Sequence, residues 1–415
     1  MRRDIVPGLL DAGLSSLATF AMGIYAARAL PPTTLGGYAL VFSAFMLMTK
    51  VPAQLLFKPV EIAAVTLPRP ARLGLLRQSL RLGLGPTVLS ALAVAGWILV
   101  APPEVPASAS LALTITAVLA AVLSPAQDHV RRMLHMANGS WIAAGVSGVQ
   151  LVVTAGAIWA LVALGAPSVW IPFAALGLAN LVSLAAGLVA PGEWSRPDMR
   201  LSFRELAISG RWLLVIGLMP LAAGFAAGTI VSHLAGAASL GYSEAARVLG
   251  QPPFVLAVGL GAVLGPRSME AARHQRYAEA RRVSRVYAAV SLLCGLPYLV
   301  LVGFAWDWNP VTRLLPNAYA VTGLVSATIV GNLLIGMDWP YRSELMGAGR
   351  TTDLARLEAT ANVARIGVAS TGGVIGAFAI PAGLVTLAGV RSLGYRLALR
   401  AVWRRPPQPE PEQAA

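Results

Sequence analysis

Four ionisable residues stand inside otherwise apolar stretches of this chain: Asp11, Lys50, Arg247 and Arg365. An ionisable side chain in hydrocarbon costs roughly 2.5–3.5 kcal/mol on insertion scales, so such groups face a watery cavity, find a partner or reach the headgroups. Each has polar neighbours at helical spacing. Asp11 shares a stripe with Ser15 and Thr19, and Lys50 shares a face with Ser43 and Gln54. Ser243 and Gln251 flank Arg247, and Asn362 and, less directly, Ser370 accompany Arg365. Three cations and one anion around a polar lumen would suit an anionic substrate. Local readings compete with that one. Asp11 lies near the end of its span, within reach of headgroup water, and Arg247 can pair with Glu244 on its own helix. Arg365 can bind a headgroup or a helix-end carbonyl. Lys50 lies about 10 Å from its helix end at 1.5 Å per residue, a long way for a snorkelling side chain.

A second set of charges occurs twice. Asp128, Arg132, Met136 and Gly139 recur at identical spacing as Asp338, Arg342, Met346 and Gly349. A spacing of four puts each acid and base on one helix face, where they can form an ion pair. One reading is a structural cap; the other is a cytoplasmic gate whose pairs exchange partners. Further echoes join Leu30, Gly37 and Tyr38 to Leu234, Gly241 and Tyr242, and Arg77 and Arg81 to Arg281 and Arg285. The pairs stay in order, which predicts a duplicated chain with a site framed by its halves.

These residues need elements to hold them, and composition says which. The 415 residues are 56% hydrophobic and 12% charged, with a mean hydropathy of +0.68. That balance belongs in a bilayer. Apolar runs of roughly 20 residues, the length that crosses about 30 Å of hydrocarbon as a helix, recur about twelve times. They cover approximately 7–30, 37–57, 82–101, 107–126, 141–164, 169–190, 212–233, 242–265, 285–305, 319–337, 358–378 and 381–399. Most of the 32 Lys and Arg residues fall in alternate loops, and the intervening loops hold only Arg28 and Arg313. The positive-inside bias then places both termini in the cytoplasm of a multi-pass inner-membrane protein. It also accounts for the net charge of +14 without a nucleic-acid partner. Six spans per half is an even number, so the repeats enter from the same side and should be parallel. The expected architecture is an all-α integral membrane protein with two six-helix lobes, 1–195 and 196–405, around a central cavity. The tail, 406–415, is rich in Pro, Gln and Glu and reads as disordered and cytoplasmic.

Other chemistry finds little support. The lone Cys294 sits in an apolar span and reads as a packing residue, which leaves no disulfide framework. The four histidines, His129, His135, His233 and His274, show no metal-ligand spacing, and no Walker A sequence is present. No metal or cofactor is expected. The loops are short, and the outer ones offer only Glu104 and Asp307 as carboxylates, which argues against an intramembrane glycan-assembling enzyme.

The turn Leu30-Pro-Pro-Thr-Thr-Leu-Gly-Gly-Tyr38 after a Ser/Ala-rich first span, and Asp128-His-Val-Arg-Arg132 after the fourth, resemble polysaccharide biosynthesis flippases of the MATE-like exporter superfamily. The resemblance extends over nearly the whole chain through its twelve spans and six-plus-six duplication. It implies transport of undecaprenyl-diphosphate-linked oligosaccharide from the cytoplasmic to the outer leaflet by alternating access, with membrane lipids and glycan polymerase or glycosyltransferases as partners. Lys50, Arg247 and Arg365 would then meet the diphosphate, and Asp11 would be the coupling carboxylate. The alternative within the same architecture is a cation-coupled drug or small-molecule exporter.

Overall fold

The structure is a computed structural model that describes residues 2–64, 67–101, 107–191, 200–304 and 308–403. Among the described residues there is no strand. They form sixteen α-helices, of which the first eight are α1 (Arg2–Ala29), α2 (Pro32–Pro52), α3 (Lys58–Ala64), α4 (Arg69–Val100), α5 (Ala107–Met136), α6 (Ser140–Ala163), α7 (Ile171–Val189) and α8 (Phe203–Ala235). They continue with α9 (Ala237–Arg273), α10 (Tyr277–Gly303), α11 (Pro310–Leu314), α12 (Leu324–Met337), α13 (Trp339–Gly347), α14 (Thr351–Ala369), α15 (Gly372–Ile375) and α16 (Ala379–Trp403). Only a helix satisfies its own backbone in lipid, so a chain this apolar with this periodicity has no other way to fold there.

Each expected span falls on helix. Nine helical stretches among the described residues are long and apolar enough to cross a membrane. The bent pair Ala237–Gly261 and Leu264–Arg273, 45° apart, makes ten. The two remaining expected spans fall on α12, which has only 14 residues before α13 follows it, and on the charge-bearing α14 with Asp353, Arg356, Glu358 and Arg365. The carboxylates Glu104 and Asp307, the 195/196 boundary and the tail 406–415 lie outside the described residues. Cys294 is exposed on α10 instead of packed, because it falls on that helix's outward face beside Leu293 and Leu296.

Internal contacts divide the chain into two units. The first comprises Met1–Val248, Val311–Ala320 and Gly372–Ala377; the second comprises Leu249–Pro310, Val321–Thr371 and Phe378–Ala415. The division passes through α9. Within the first unit the echoed Gly-Tyr turns meet. A Cβ on Gly36 would stand 1.9 Å from the Ala237 carbonyl oxygen, and one on Gly241 would stand 1.9 Å from that of Pro32. The starts of α2 and α9 therefore touch backbone to backbone, a closeness that only glycine permits.

α2 starts at Pro32, a proline in the first turn whose missing N–H costs nothing there. It does not stop at Pro52. A π-helical turn, Ala53–Phe57, carries it into α3, with the Lys58 N–H donating to the Ala53 carbonyl. Pro52 cannot donate inside the helix, and the wider turn re-registers the ladder around it. Phe57 is thereby delivered into a core of Leu56, Val60, Leu75, Leu76, Val130, Met133 and Leu134. Its ring stacks on His129 at 4.4 Å between centroids and 11° between planes. This apolar plug holds the last turns of α5, the helix that carries most of the charges described next.

Candidate functional site

A cavity of about 190 Å³ lies inside the first unit among α1, α2, α5, α6 and α7. α1 contributes Ser15 and Thr19, the stripe above Asp11, and α2 contributes Thr49 and Lys50. α5 adds Ser124, Gln127, Asp128 and Arg131, while Gln150 of α6 and Asn180 of α7 complete the polar wall. Met22, Phe42, Phe45, Met46 and Leu176 form the apolar side, where Phe45 meets Phe173 edge-on at 5.4 Å.

The wall is built by hydrogen bonds that cross helices. Gln150 donates its Nε2 to Asn180 Oδ1 at 2.9 Å, and Asn180 donates its Nδ2 to Ser124 Oγ at 2.7 Å. Gln127 Nε2 reaches Gln150 Oε1 at 3.5 Å. A buried amide costs free energy unless it is paired, so this chain fixes α5, α6 and α7 in register.

Beneath the amides runs a network of charges. Arg131 donates to Asp128 Oδ1 at 2.7 Å and to Ser147 Oγ at 3.2 Å, and lies 3.5 Å from Asp11 Oδ1. Arg132 donates to Asp128 Oδ2 at 2.9 Å and lies 3.8 Å from Glu61 Oε2. Asp11 also accepts from Ser147 Oγ and meets His135 Nε2 at 2.9 Å. Glu61 accepts from Lys58 at 3.0 Å and faces His129 Nδ1 at 3.4 Å, and the far nitrogen of that ring meets Ser79 Oγ at 2.8 Å. Two arginines on successive residues thus divide the two oxygens of one carboxylate, and each extends to a second acid on another helix.

Lys50 stands apart from this pairing. It lines the cavity close enough to act on Asp128 electrostatically, yet no carboxylate among the described residues lies within 4.0 Å of its ammonium. Four cations, Lys50, Lys58, Arg131 and Arg132, meet three carboxylates, Asp11, Glu61 and Asp128. The unmatched positive charge falls on the cavity wall, where it can face an anion.

The other expected site residues lie elsewhere. Arg247 binds Glu244 through both ends of its guanidinium, Nε to Oε2 at 2.7 Å and Nη2 to Oε1 at 2.6 Å, and does not line this cavity. Arg365 is on α14 in the second unit, with no carboxylate in ion-pair range among the described residues, and its Cγ packs beside Gly383. Asp128 and Arg132 form the expected pair. Asp338 and Arg342 do not: Asp338 accepts from Ser392 Oγ of α16, and Arg342 lies over the Trp339 ring at 5.9 Å from its centroid. Asp338 is the junction between α12 and α13, so its side chain turns toward α16 while Arg342 finds the aromatic face beside it. A buried ion pair of that unit joins Arg391 to Glu358, which also accepts from Tyr395 at 2.7 Å. Glu344, outside the spans on α13, is fully buried and accepts from Trp403 Nε1 at 2.7 Å. Burial pushes its carboxyl above the usual range, with the indole donor and Arg281 holding it back.

Sequence reasoning passed over Arg131, His135, Glu61, His129 and the amide chain. Part of the signal was present, since Arg131 and His135 follow Asp128 at three and seven residues on one helical face. The partners Ser147 and Glu61 lie 136 residues from Asp11 and 68 from His129, and no local spacing reaches so far.

No protein-family model matches the chain, and no curated protein matches it. Solved structures do resemble it. An inward-facing multidrug-resistance MATE family transporter of the MOP superfamily superposes with a TM-score of 0.67 at 15% identity, covering 94% of this chain and 95% of that one. An outward-facing one gives 0.66 at 14%, covering 97% and 96%. A MOP superfamily transporter from Pyrococcus furiosus, described by a binding pocket of reverse polarity that suggests a different function, gives 0.61 at 17%, covering 97% and 96%. The chain is a multi-pass membrane protein with the fold of the MOP-superfamily transporters.

Proposed function

We propose that the protein is a membrane transporter of the alternating-access kind, not an enzyme, and that it moves undecaprenyl-diphosphate-linked oligosaccharide from the cytoplasmic to the outer leaflet of the inner membrane. The observation that carries the reading is Lys50, a cation on a polar cavity wall with no acid of its own. A diphosphate entering there exchanges water for fixed positive charge, while Gln150, Asn180 and Thr49 supply hydrogen bonds to hydroxyl groups. The polyprenyl tail stays in lipid. In this reading lobes 1–195 and 196–405 rock with both termini cytoplasmic, Asp128 and Arg132 contribute to the gate, and glycan polymerase or glycosyltransferases work beside the protein. Arg365 remains a candidate contact for the diphosphate. Arg247 contributes less, because Glu244 already neutralises it.

A cation-coupled exporter of small molecules is the second reading. It is favoured by Asp11, a buried carboxylate against His135 and the candidate carboxylate for coupling to a cation. The reversed pocket polarity ascribed to the Pyrococcus furiosus relative in fold supports treating pocket charge as the feature that separates functions on this architecture.

The test is the pool of polyprenyl-diphosphate-linked oligosaccharide in depleted cells carrying wild type, Lys50→Ala or Lys50→Arg. Accumulation relieved by wild type and Lys50→Arg, but not by Lys50→Ala at equal membrane abundance, is the expected result. An unchanged pool with surface glycan intact moves the function to the small-molecule exporter.

A further inference from the structure

A second concavity of about 540 Å³ lies on the outside of the first unit, between the C-terminal turns of α1 and α6. Its floor is made of small residues, Ala21 and Ala155, and its wall of Val162. Tyr25, Trp159 and Arg28 stand at its rim, one residue short of the end of α1 and in the last turns of α6. Trp159 is 75% exposed, which for an indole in water would be a waste of apolar surface. At the level where a membrane meets water, Trp and Tyr are the residues that belong, their rings in the acyl region and their polar edges among the headgroups.

Arg28 decides the occupant. It is exposed, and no carboxylate, carbonyl or aromatic ring among the described residues engages its guanidinium. The positive-inside pattern leaves this end of the bundle almost free of basic residues, so Arg28 does not serve topology. A planar fork of donors at headgroup depth, above an apolar channel with an alanine floor, matches a phosphate diester with an acyl chain beneath it. We propose that this groove is a specific site for one glycerophospholipid, with its phosphate on Arg28 and an acyl chain lying between α1 and α6. The bound lipid completes the packing of these two helices where side chains leave a channel. The inference stands on the groove alone and is independent of the transported substrate.

The probe is phosphatidylglycerol carrying a photoactivatable diazirine on one acyl chain, at trace level in phosphatidylcholine nanodiscs holding the full chain. Labelled peptides are mapped by mass spectrometry. Label concentrated on α1 and the end of α6 is expected. Arg28→Gln should lower it about five-fold, as the loss of one interfacial cation worth about 1 kcal/mol implies. Arg28→Lys should retain most of it, and Ala155→Trp should exclude the chain by filling the floor. Label spread evenly over the lipid-facing helices, or unmoved by both Arg28→Gln and Ala155→Trp, overturns the site. Displacement of the label by polyprenyl phosphate, but not by unlabelled phosphatidylglycerol, overturns the phospholipid as its occupant.

Discussion

Asp128 and Asp338 occupy the same place in two echoed sequence motifs and live in different surroundings. Asp128 sits in an unbroken stretch of α5 and gives one oxygen to Arg131 and the other to Arg132. Asp338 sits where α12 ends and α13 begins, gives one oxygen to Ser392, and leaves the other buried without a hydrogen-bond partner. The difference teaches that a repeated spacing preserves an ion pair only when the helix runs on and the neighbours stay polar. The residues after Asp128 are His, Val, Arg and Arg; those after Asp338 are Trp, Pro, Tyr and Arg. Pro340 opens a new helix at Trp339, and the indole offers Arg342 a competing partner. In the second unit a buried pair is made instead by Glu358 and Arg391.

Glu358→Ala strands Arg391, only 10% exposed, and removes the acceptor of Tyr395, so it should cost about 3–5 kcal/mol in thermal unfolding of the detergent-solubilised protein. Rescue by a second change, Arg391→Met, would show that the stranded charge is the cause. Asp128→Ala should cost on the order of 2 kcal/mol, below the range for a fully buried pair, because Arg132 is 43% exposed and water screens it. Arg342→Ala should cost only about 0.5–1 kcal/mol, the worth of a cation–π contact at the 5.9 Å limit of its range. If Arg132→Ala and Arg342→Ala proved equally costly, the two regions would be equivalent after all.

The smallest effect is a pH dependence in the second unit. The Glu344 carboxyl is raised by burial, so the folded state holds its proton more firmly than the unfolded state does. Its contribution is full below the ordinary glutamate range and falls as pH rises from there toward the folded value. Glu344→Gln should flatten that decline in unfolding temperature between acidic and neutral pH. The mutation leaves the Trp403 indole an oxygen to donate to.

Much of the fold was legible because lipid imposes one local rule on the backbone. Each expected span falls on helix, and the stripe of Ser15 and Thr19 does line a cavity with Lys50 opposite. The site was legible in part. The Asp128 and Arg132 pair follows from spacing alone, whereas Arg131 looked like one more topological charge until Asp11 and Ser147 closed on it from α1 and α6. For Arg247 the sequence left the lumen and the local partner Glu244 open, and the structure shows the pair with Glu244, three residues away.

Hydropathy and periodicity reach an all-helical, membrane-embedded chain with costly charges inside it. Those properties are local, since each helix satisfies its own hydrogen bonds and each run of apolar residues reports its own burial. Which charges are matched and which are left over is set by how the helices pack. Pairing in a low-dielectric interior depends on distances of 3–4 Å between residues far apart in the chain, and among the described residues Lys50 is left as the unmatched cation of this cavity because Asp11, Glu61 and Asp128 were brought to Arg131, Arg132 and Lys58 instead.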